Sequence, residues 1–212
     1  MKKKVATIIL NRNLPKITDK LYDQIKKYNN KETDIFIVDS GSLKKNISKY
    51  TTWIADWKLA KKRGLRFGRG MNFGLSKLYE ENRFYDYEYF FLITNDTILK
   101  NKPMIKDFCK IMRKHNKLAI LSPCSKKWGE KDLLSKNSIK YFWYIHNNAY
   151  FLRRSFLDKI KNIKKPGYKN FIFDGKNFRG HGIESELILK AYKLNMAAAI
   201  TSEIWAEENE TH

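Results

Sequence analysis

Residues 89–99 read YFFLITNDTIL. Tyr89 to Ile93 are all apolar or aromatic, and the chain then turns polar at Thr94, Asn95, Asp96 and Thr97. An apolar run of this length, rich in aromatics, reads as a strand buried on both faces. Its polar end has two readings. One is a turn, because Asn and Asp side chains bond to nearby backbone. The other is a site. Open α/β sheets bind ligands just outside the carboxyl ends of their strands, and a carboxylate held there suits a hard divalent cation and the phosphates it carries. The other strand ends bear on the choice.

Val5–Leu10 is a second apolar run, closed by Asn11, Arg12 and Asn13. Pro15 and Thr18 then open a helix with Leu21, Tyr22, Ile25 and Tyr28 on one face. Asp34–Asp39 is a strand that stops on Asp39-Ser40-Gly41-Ser42, and Trp53–Lys58 reads as a shorter one. Residues 61–70, KKRGLRFGRG, read as a basic glycine-rich loop leading into a helix over Met71–Glu81. Tyr87–Ile93 is the strand of the opening motif, Pro103–His115 a helix and Leu118–Leu121 a short strand. Strands alternating with helices at this spacing predict an α/β fold, with a mixed, mostly parallel sheet flanked by helices.

Beyond residue 122 the pattern changes. Residues 123–140 are polar and loop-like, 141–154 read as one or two strands, and Ser155–Asn162 as a short helix. Residues 164–181 form a long aperiodic loop rich in Gly, Lys, Asn and Phe. Ile183–Leu194 is a helix with Leu187, Ile188 and Ala191 inward, and Ala197–Trp205 a last strand.

Composition bounds the class. The 212 residues include 43 Lys and Arg against 22 Asp and Glu, a formal net charge of +21. That field favours anionic partners such as nucleotides, nucleic acid, acidic membranes or acidic glycans, or else simply solvates the surface. The lysines are spread along the chain rather than gathered in a stripe, which speaks against a dedicated nucleic-acid domain. At 42% hydrophobic and 14% aromatic, the chain can build a core and is not a disordered type. Cys109 and Cys124 have no CxxC spacing or nearby His, so a reducing, cytoplasmic compartment is expected. No apolar run reaches the roughly 18 residues of a membrane span, and the basic start MKKK with its short apolar run is not a signal peptide.

Three strands end on polar clusters: Asn11-Arg12-Asn13, Asp39-Ser40-Gly41-Ser42 and Asn95-Asp96. They should line one edge of the sheet, where a doubly wound fold places its ligand. Gly68-Arg69-Gly70 ahead of a helix offers close backbone approach and a helix N-terminus to a phosphate, with Arg69 adding a charge-assisted bond, or is a turn with an exposed Arg. The chain carries no P-loop signature and no glycine fingerprint after its first strand, which excludes P-loop ATPases and the usual nicotinamide-binding enzymes. Glu184 and Glu186 open a helix after Gly180-His181-Gly182. They either answer the helix dipole or include a general base.

In order, these segments resemble the GT-A fold of family 2-type glycosyltransferases. VATIILNRN is similar to the opening strand of that family, DIFIVDSGS to its second strand and turn, and RFGRGMNFGL to its glycine-rich stretch. YFFLITNDTIL is similar to the segment holding the metal-binding D-x-D, NNAYFLRRSFL to the acceptor-side strand, GIESELILKAYKLN to the "EDxD" helix, and ENETH to a terminal strand end whose His completes the metal site. The resemblance implies that Asp39 contacts the nucleotide base with help from Asn11, Asn13 and Asn95, and that Arg69 and Asn72 face the ribose or diphosphate. It implies Asp96 and His212 as ligands of Mn²⁺ or Mg²⁺, and Glu184 as the catalytic base, with Glu186 at the neighbouring acidic position. Two departures stand out. Thr94 occupies the place of the first Asp of D-x-D, and the base position holds Glu, one methylene longer than Asp.

The implied activity is transfer of a sugar from a nucleotide-diphosphate donor, UDP-sugar first, to a hydroxyl of a glycan or glycoprotein. The reaction is expected to invert the anomeric carbon, with residues 1–122 holding the donor and 123–212 the acceptor. A chain that stops at a metal ligand is expected to belong to a longer parent polypeptide. A nucleotidyltransferase on a related sheet is the enzyme alternative, disfavoured because Asn11-Arg12-Asn13 lacks glycine. A basic nucleic-acid-binding module is the other, with a steep salt dependence as its signature. No nucleic-acid partner is expected.

Overall fold

The computed structural model describes residues 3–127, 129–142, 145 and 148–209. Among these, nine strands form one curled sheet in the order β3-β2-β1-β4-β8-β6-β9-β5, with β7 pairing against β9. The first half is parallel: β1 (Val5–Asn11) lies between β2 (Thr33–Asp39) and β4 (Tyr89–Thr94), and β3 (Trp53–Ile54) pairs with the end of β2. The second half is mixed. β8 (Ala149–Arg153) runs antiparallel to both β4 and β6 (Leu118–Cys124), β6 and β9 (Ala197–Glu208) are parallel, and β5 (Thr97–Leu99) and β7 (Ile139–Tyr141) run antiparallel to β9.

The sheet carries helices on both faces. Along β1, Val5 and Ile9 face α1 (Pro15–Asn29) and α4 (Met104–Lys114), whereas Ala6, Ile8 and Leu10 face α3 (Arg66–Glu80), α5 (Arg154–Ile160) and α6 (Ile183–Lys193). α2 (Lys58–Arg63) adds a small third cluster through Ala60. Alternate residues of each central strand thus enter different cores, so these strands read as continuous apolar runs. On one face, Phe108 of α4 stacks on Phe151 of β8 with ring centres 4.8 Å apart.

Several expectations need correction. Residues 61–70 are not a loop: α2 runs to Arg63, and α3 begins at Arg66 and contains Gly68, Arg69 and Gly70. Gly70 allows the close approach of helix to sheet, since a Cβ there would lie 2.3 Å from Leu10 Cδ1. Gly70 thus serves the packing of α3 against β1. The strand placed over Trp53–Lys58 is only Trp53–Ile54, because the chain turns into α2. β6 and β9 run on to Cys124 and Glu208, and the 123–140 stretch holds a 3-10 turn and the start of β7. β5 had no separate signal in the sequence; it exists because β9 comes back to pair with Thr97–Leu99.

Candidate active site

The strand order reverses beside β1: β2 and β3 extend one way, and β4 lies on the other side. The crevice outside the carboxyl ends of β1 and β4 is therefore the topological switch point, where such sheets bind ligands. Asn11 and Asp39 are opposed across β1 and β2, and Leu10 opposes Thr94 across β1 and β4. The three polar strand ends thus meet at one edge, as expected.

Much of this edge is bonded to itself. Fully buried Asn11 donates from Nδ2 to Asp39 Oδ2 at 2.8 Å. Its Oδ1 accepts from Thr18 Oγ1 at 2.8 Å and from Asn95 Nδ2 at 3.3 Å. Asp39, also fully buried, accepts the Ser42 N–H on its other oxygen at 2.8 Å. Asn13, exposed at φ +58, donates its N–H to Ser42 Oγ and accepts from the Leu43 N–H. Asn11, Asp39 and Asn95 therefore tie the strand ends together, and Asn13 pins the loop after β2. Beside them opens a cleft of about 380 Å³, lined by Ser42, Lys44, Ile54, Ala55, Asp56 and Lys61 among others.

Asp96 is different. It lies on the turn between β4 and β5, its backbone carbonyl accepts the Asn209 N–H at 2.9 Å, and its Oδ1 is buried without a hydrogen-bond partner among the described residues. A buried carboxylate oxygen left unpartnered is met by a water, an ion or a ligand. Thr94, in the place of a second carboxylate, shares its hydroxyl with Thr97 Oγ1 at 3.1 Å. Among the described residues no three His, Cys, Asp or Glu side chains gather to hold a metal. One carboxylate with a free oxygen still fits Mg²⁺ or Mn²⁺ of the kind held by one or two carboxylates plus substrate phosphates. His212 lies outside the described residues.

The structure separates the two glutamates of α6. Glu186 accepts the Asp174 N–H at 3.2 Å and pairs with Lys190. Glu184, in the first helical turn, keeps Oε2 buried and unpartnered among the described residues.

Arg69 and Asn72 both turn towards the 164–181 loop. Arg69 donates from Nε to Gly175 O and stacks on Phe178, with its guanidinium 4.8 Å from the ring centre. Arg63 lies over the same ring at 5.3 Å. Asn72 is fully buried: its Oδ1 accepts the N–H groups of Ile172 and Phe173, and its Nδ2 donates to Phe173 O and, more weakly, to Tyr168 O. An amide has two donor hydrogens and two acceptor lone pairs, so Asn72 here is a loop anchor with nothing left for a ribose or diphosphate. Sequence reasoning assigned no role to Arg12 and Arg66. The half-buried Arg12 guanidinium is held below its usual range, chiefly by burial and then by nearby Arg66, with Asp39 opposing both. The signal available was an Arg between two Asn at a strand end.

By sequence the chain matches no protein-family profile and no curated protein. By structure it is similar to the mannosyltransferase PcManGT of Pyrobaculum calidifontis, solved with GDP-Man and Mn²⁺, at TM-score 0.64 and 11% identity over 99% of this chain and 57% of that one. It is similar to GalNAc-T7, solved with UDP, GalNAc and Mn²⁺, at TM-score 0.71 and 9% identity over 97% of this chain and 44% of that one. It is also similar to S. aureus TarS 1-349, solved with UDP-GlcNAc, at TM-score 0.61 and 13% identity over 99% of this chain and 60% of that one. The fold is therefore that of the GT-A glycosyltransferases. The chain spans about half the length of these three proteins. No helix among the described residues is long and apolar enough to cross a membrane.

Proposed function

We propose that the chain is a metal-assisted, inverting glycosyltransferase that moves a sugar from a nucleoside-diphosphate donor, UDP-sugar first, to a hydroxyl of a glycan. The observation that carries this reading is the pair of buried carboxylate oxygens without partners among the described residues, Asp96 Oδ1 and Glu184 Oε2. Neighbouring carboxylates are spent, Asp39 on Asn11 and Ser42, and Glu186 on Lys190 and the Asp174 N–H. The chemistry needs one carboxylate to hold an ion and one to take the acceptor proton, and this reading gives those roles to Asp96 and Glu184.

Asp96 would hold Mn²⁺ or Mg²⁺, which supplies Lewis-acid stabilisation of a diphosphate when bound. His212, which lies outside the described residues, is the second ligand that this reading assigns to the ion. Glu184 takes the proton of the acceptor hydroxyl as that oxygen bonds to the anomeric carbon, and the bond from that carbon to the diphosphate oxygen breaks with its electron pair leaving on the diphosphate. With a single carboxylate and no second nucleophile assigned, one displacement inverts the centre. The cleft beside Ser42, Ile54 and Asp56 takes the nucleobase, with Asp39 beneath it. Residues 1–122 serve the donor and 123–212 the acceptor. The nucleotides and Mn²⁺ bound by the structural neighbours support a donor of this class. The sequence also resembles the amino-terminal glycosyltransferase domain of a large chlorella-virus protein that decorates the capsid, so a capsid glycan is the acceptor to try first.

Calorimetric titration with UDP, in Mn²⁺ and then in EDTA, tests the donor site in wild type, Asp96→Ala and Glu184→Gln. Asp96→Ala is expected to lose the Mn²⁺-dependent part of binding. Glu184→Gln is expected to bind donor normally and to lose transfer by about 10²–10⁴-fold, while Glu186→Gln retains transfer. Normal transfer by Glu184→Gln would remove Glu184 as the base, and unchanged affinity of Asp96→Ala in Mn²⁺ would remove the metal assignment.

A further inference from the structure

Arg12 is the first residue beyond β1, at the switch point. Its side chain lies against the turn joining α2 to α3: a Cβ on Gly64 would sit 2.1 Å from Arg12 Nη1. That turn is made by two residues of positive φ, Gly64 at +70 and Arg66 at +61. A left-handed φ is ordinary for glycine but costs an arginine backbone strain. Arg66 thus begins α3 in a strained conformation and faces Arg12 closely enough to oppose its charge.

Neither guanidinium has a hydrogen-bond or ion-pair partner among the described residues. The nearest carboxylate, Asp39, already accepts from Asn11 and Ser42 on separate oxygens. Two apposed arginines, one of them half-buried, are unfavourable by themselves and become favourable around a multiply charged anion, which planar guanidiniums bind through paired hydrogen bonds. The start of α3 has no side-chain cap, so its first free N–H groups add to the same positive field. The proposed metal position has one carboxylate, Asp96, with Thr94 where a second would stand.

We propose that Arg12 and Arg66 clamp the diphosphate of the donor and carry the share of leaving-group charge that a second metal-binding carboxylate would otherwise help an ion to carry. The inference rests on the glycosyltransferase reading and adds two positions to it. It requires diphosphate binding that persists in part without a divalent ion. Both arginines donate to phosphate oxygens in the ground state, and the bonds strengthen as the sugar–oxygen bond breaks and charge accumulates on the diphosphate.

Inorganic pyrophosphate is the first probe, because it needs no correct base. UDP, GDP, dTDP and uridine complete the set, each titrated in EDTA and in Mn²⁺ with wild type, Arg12→Gln and Arg66→Gly. Glycine at position 66 relieves the positive φ, so Arg66→Gly should melt at or above the wild-type temperature. Its pyrophosphate affinity in EDTA should nevertheless fall at least about tenfold, the effect of losing one charged hydrogen bond. Arg12→Gln should show the same loss, and neither variant should change uridine affinity. If wild type binds pyrophosphate or a nucleoside diphosphate only with Mn²⁺, and both variants bind as tightly, the clamp is refuted while the glycosyltransferase reading stands on the ion. If wild type binds neither pyrophosphate nor any of the three nucleoside diphosphates in either condition, the glycosyltransferase reading fails and the clamp with it.

Discussion

Replacing Asn72 by alanine removes the anchor between α3 and the loop that leads to Glu184. The amide accepts from the Ile172 and Phe173 N–H groups at 2.9 and 3.0 Å and donates to Phe173 O at 2.8 Å. Ile172 and Phe173 are themselves buried, so water does not readily replace the lost oxygen. Each orphaned N–H costs about 1–3 kcal/mol, and two of them give roughly 2–4 kcal/mol after local relaxation. Urea unfolding reads this directly: with an m-value of about 2–3 kcal/mol/M, the midpoint should fall by about 0.7–2 M at unchanged m. Asn72→Asp is a sharper version, because it keeps the acceptor oxygen and sets a second oxygen against the Phe173 carbonyl. A loss below about 1 kcal/mol for alanine would refute the anchor. A normal urea midpoint with weakened nucleotide binding would return Asn72 to the ligand site that its sequence position suggests.

Gly70→Ala should destabilise the chain by about 1–3 kcal/mol, the range for overpacking, since the new methyl meets the Leu10 side chain at 2.3 Å. A melting temperature within a degree of wild type would show that helix and strand separate freely there. At alkaline pH, burial raises the Cys109 thiol from an ordinary 9.0 to about 11. Its folded pKa lies above its unfolded one, so the contribution is fully present below pH 9 and is lost as pH climbs through 11. Urea midpoints from pH 8 to 11 should therefore fall more steeply in wild type than in Cys109→Ala, by up to about 2 kcal/mol. Identical profiles would show that the thiol ionises without opening the core.

The central strands and the ligand edge were legible because their information is local. Val5–Leu10, Asp34–Asp39 and Tyr89–Ile93 are apolar runs that end on polar residues, and parallel strands buried on both faces have that composition. The start of α3 was not legible. Gly68 and Gly70 weaken a helix by intrinsic propensity, and only the nearness of Leu10 explains why a glycine-bearing segment is helical there. β5 was hidden for a similar reason: three residues acquire strand geometry from Glu208, Glu207 and Ala206, far along the chain.

The site divides along the same line. Sequence by itself determined that carboxylates and amides collect at the ends of adjacent strands and at the start of a late helix, because strand ends and helix starts are written in neighbouring residues. Tertiary structure decided which of them are bonded within the fold. Asp39 and Glu186 are as acidic in sequence as Asp96 and Glu184. Distant partners spend the first two, Asn11 on β1 and the Asp174 N–H in the preceding loop among them, and leave one oxygen on each of the other two unpartnered among the described residues. Whether a polar atom is free depends on long-range contacts, and those exist only once the sheet has closed.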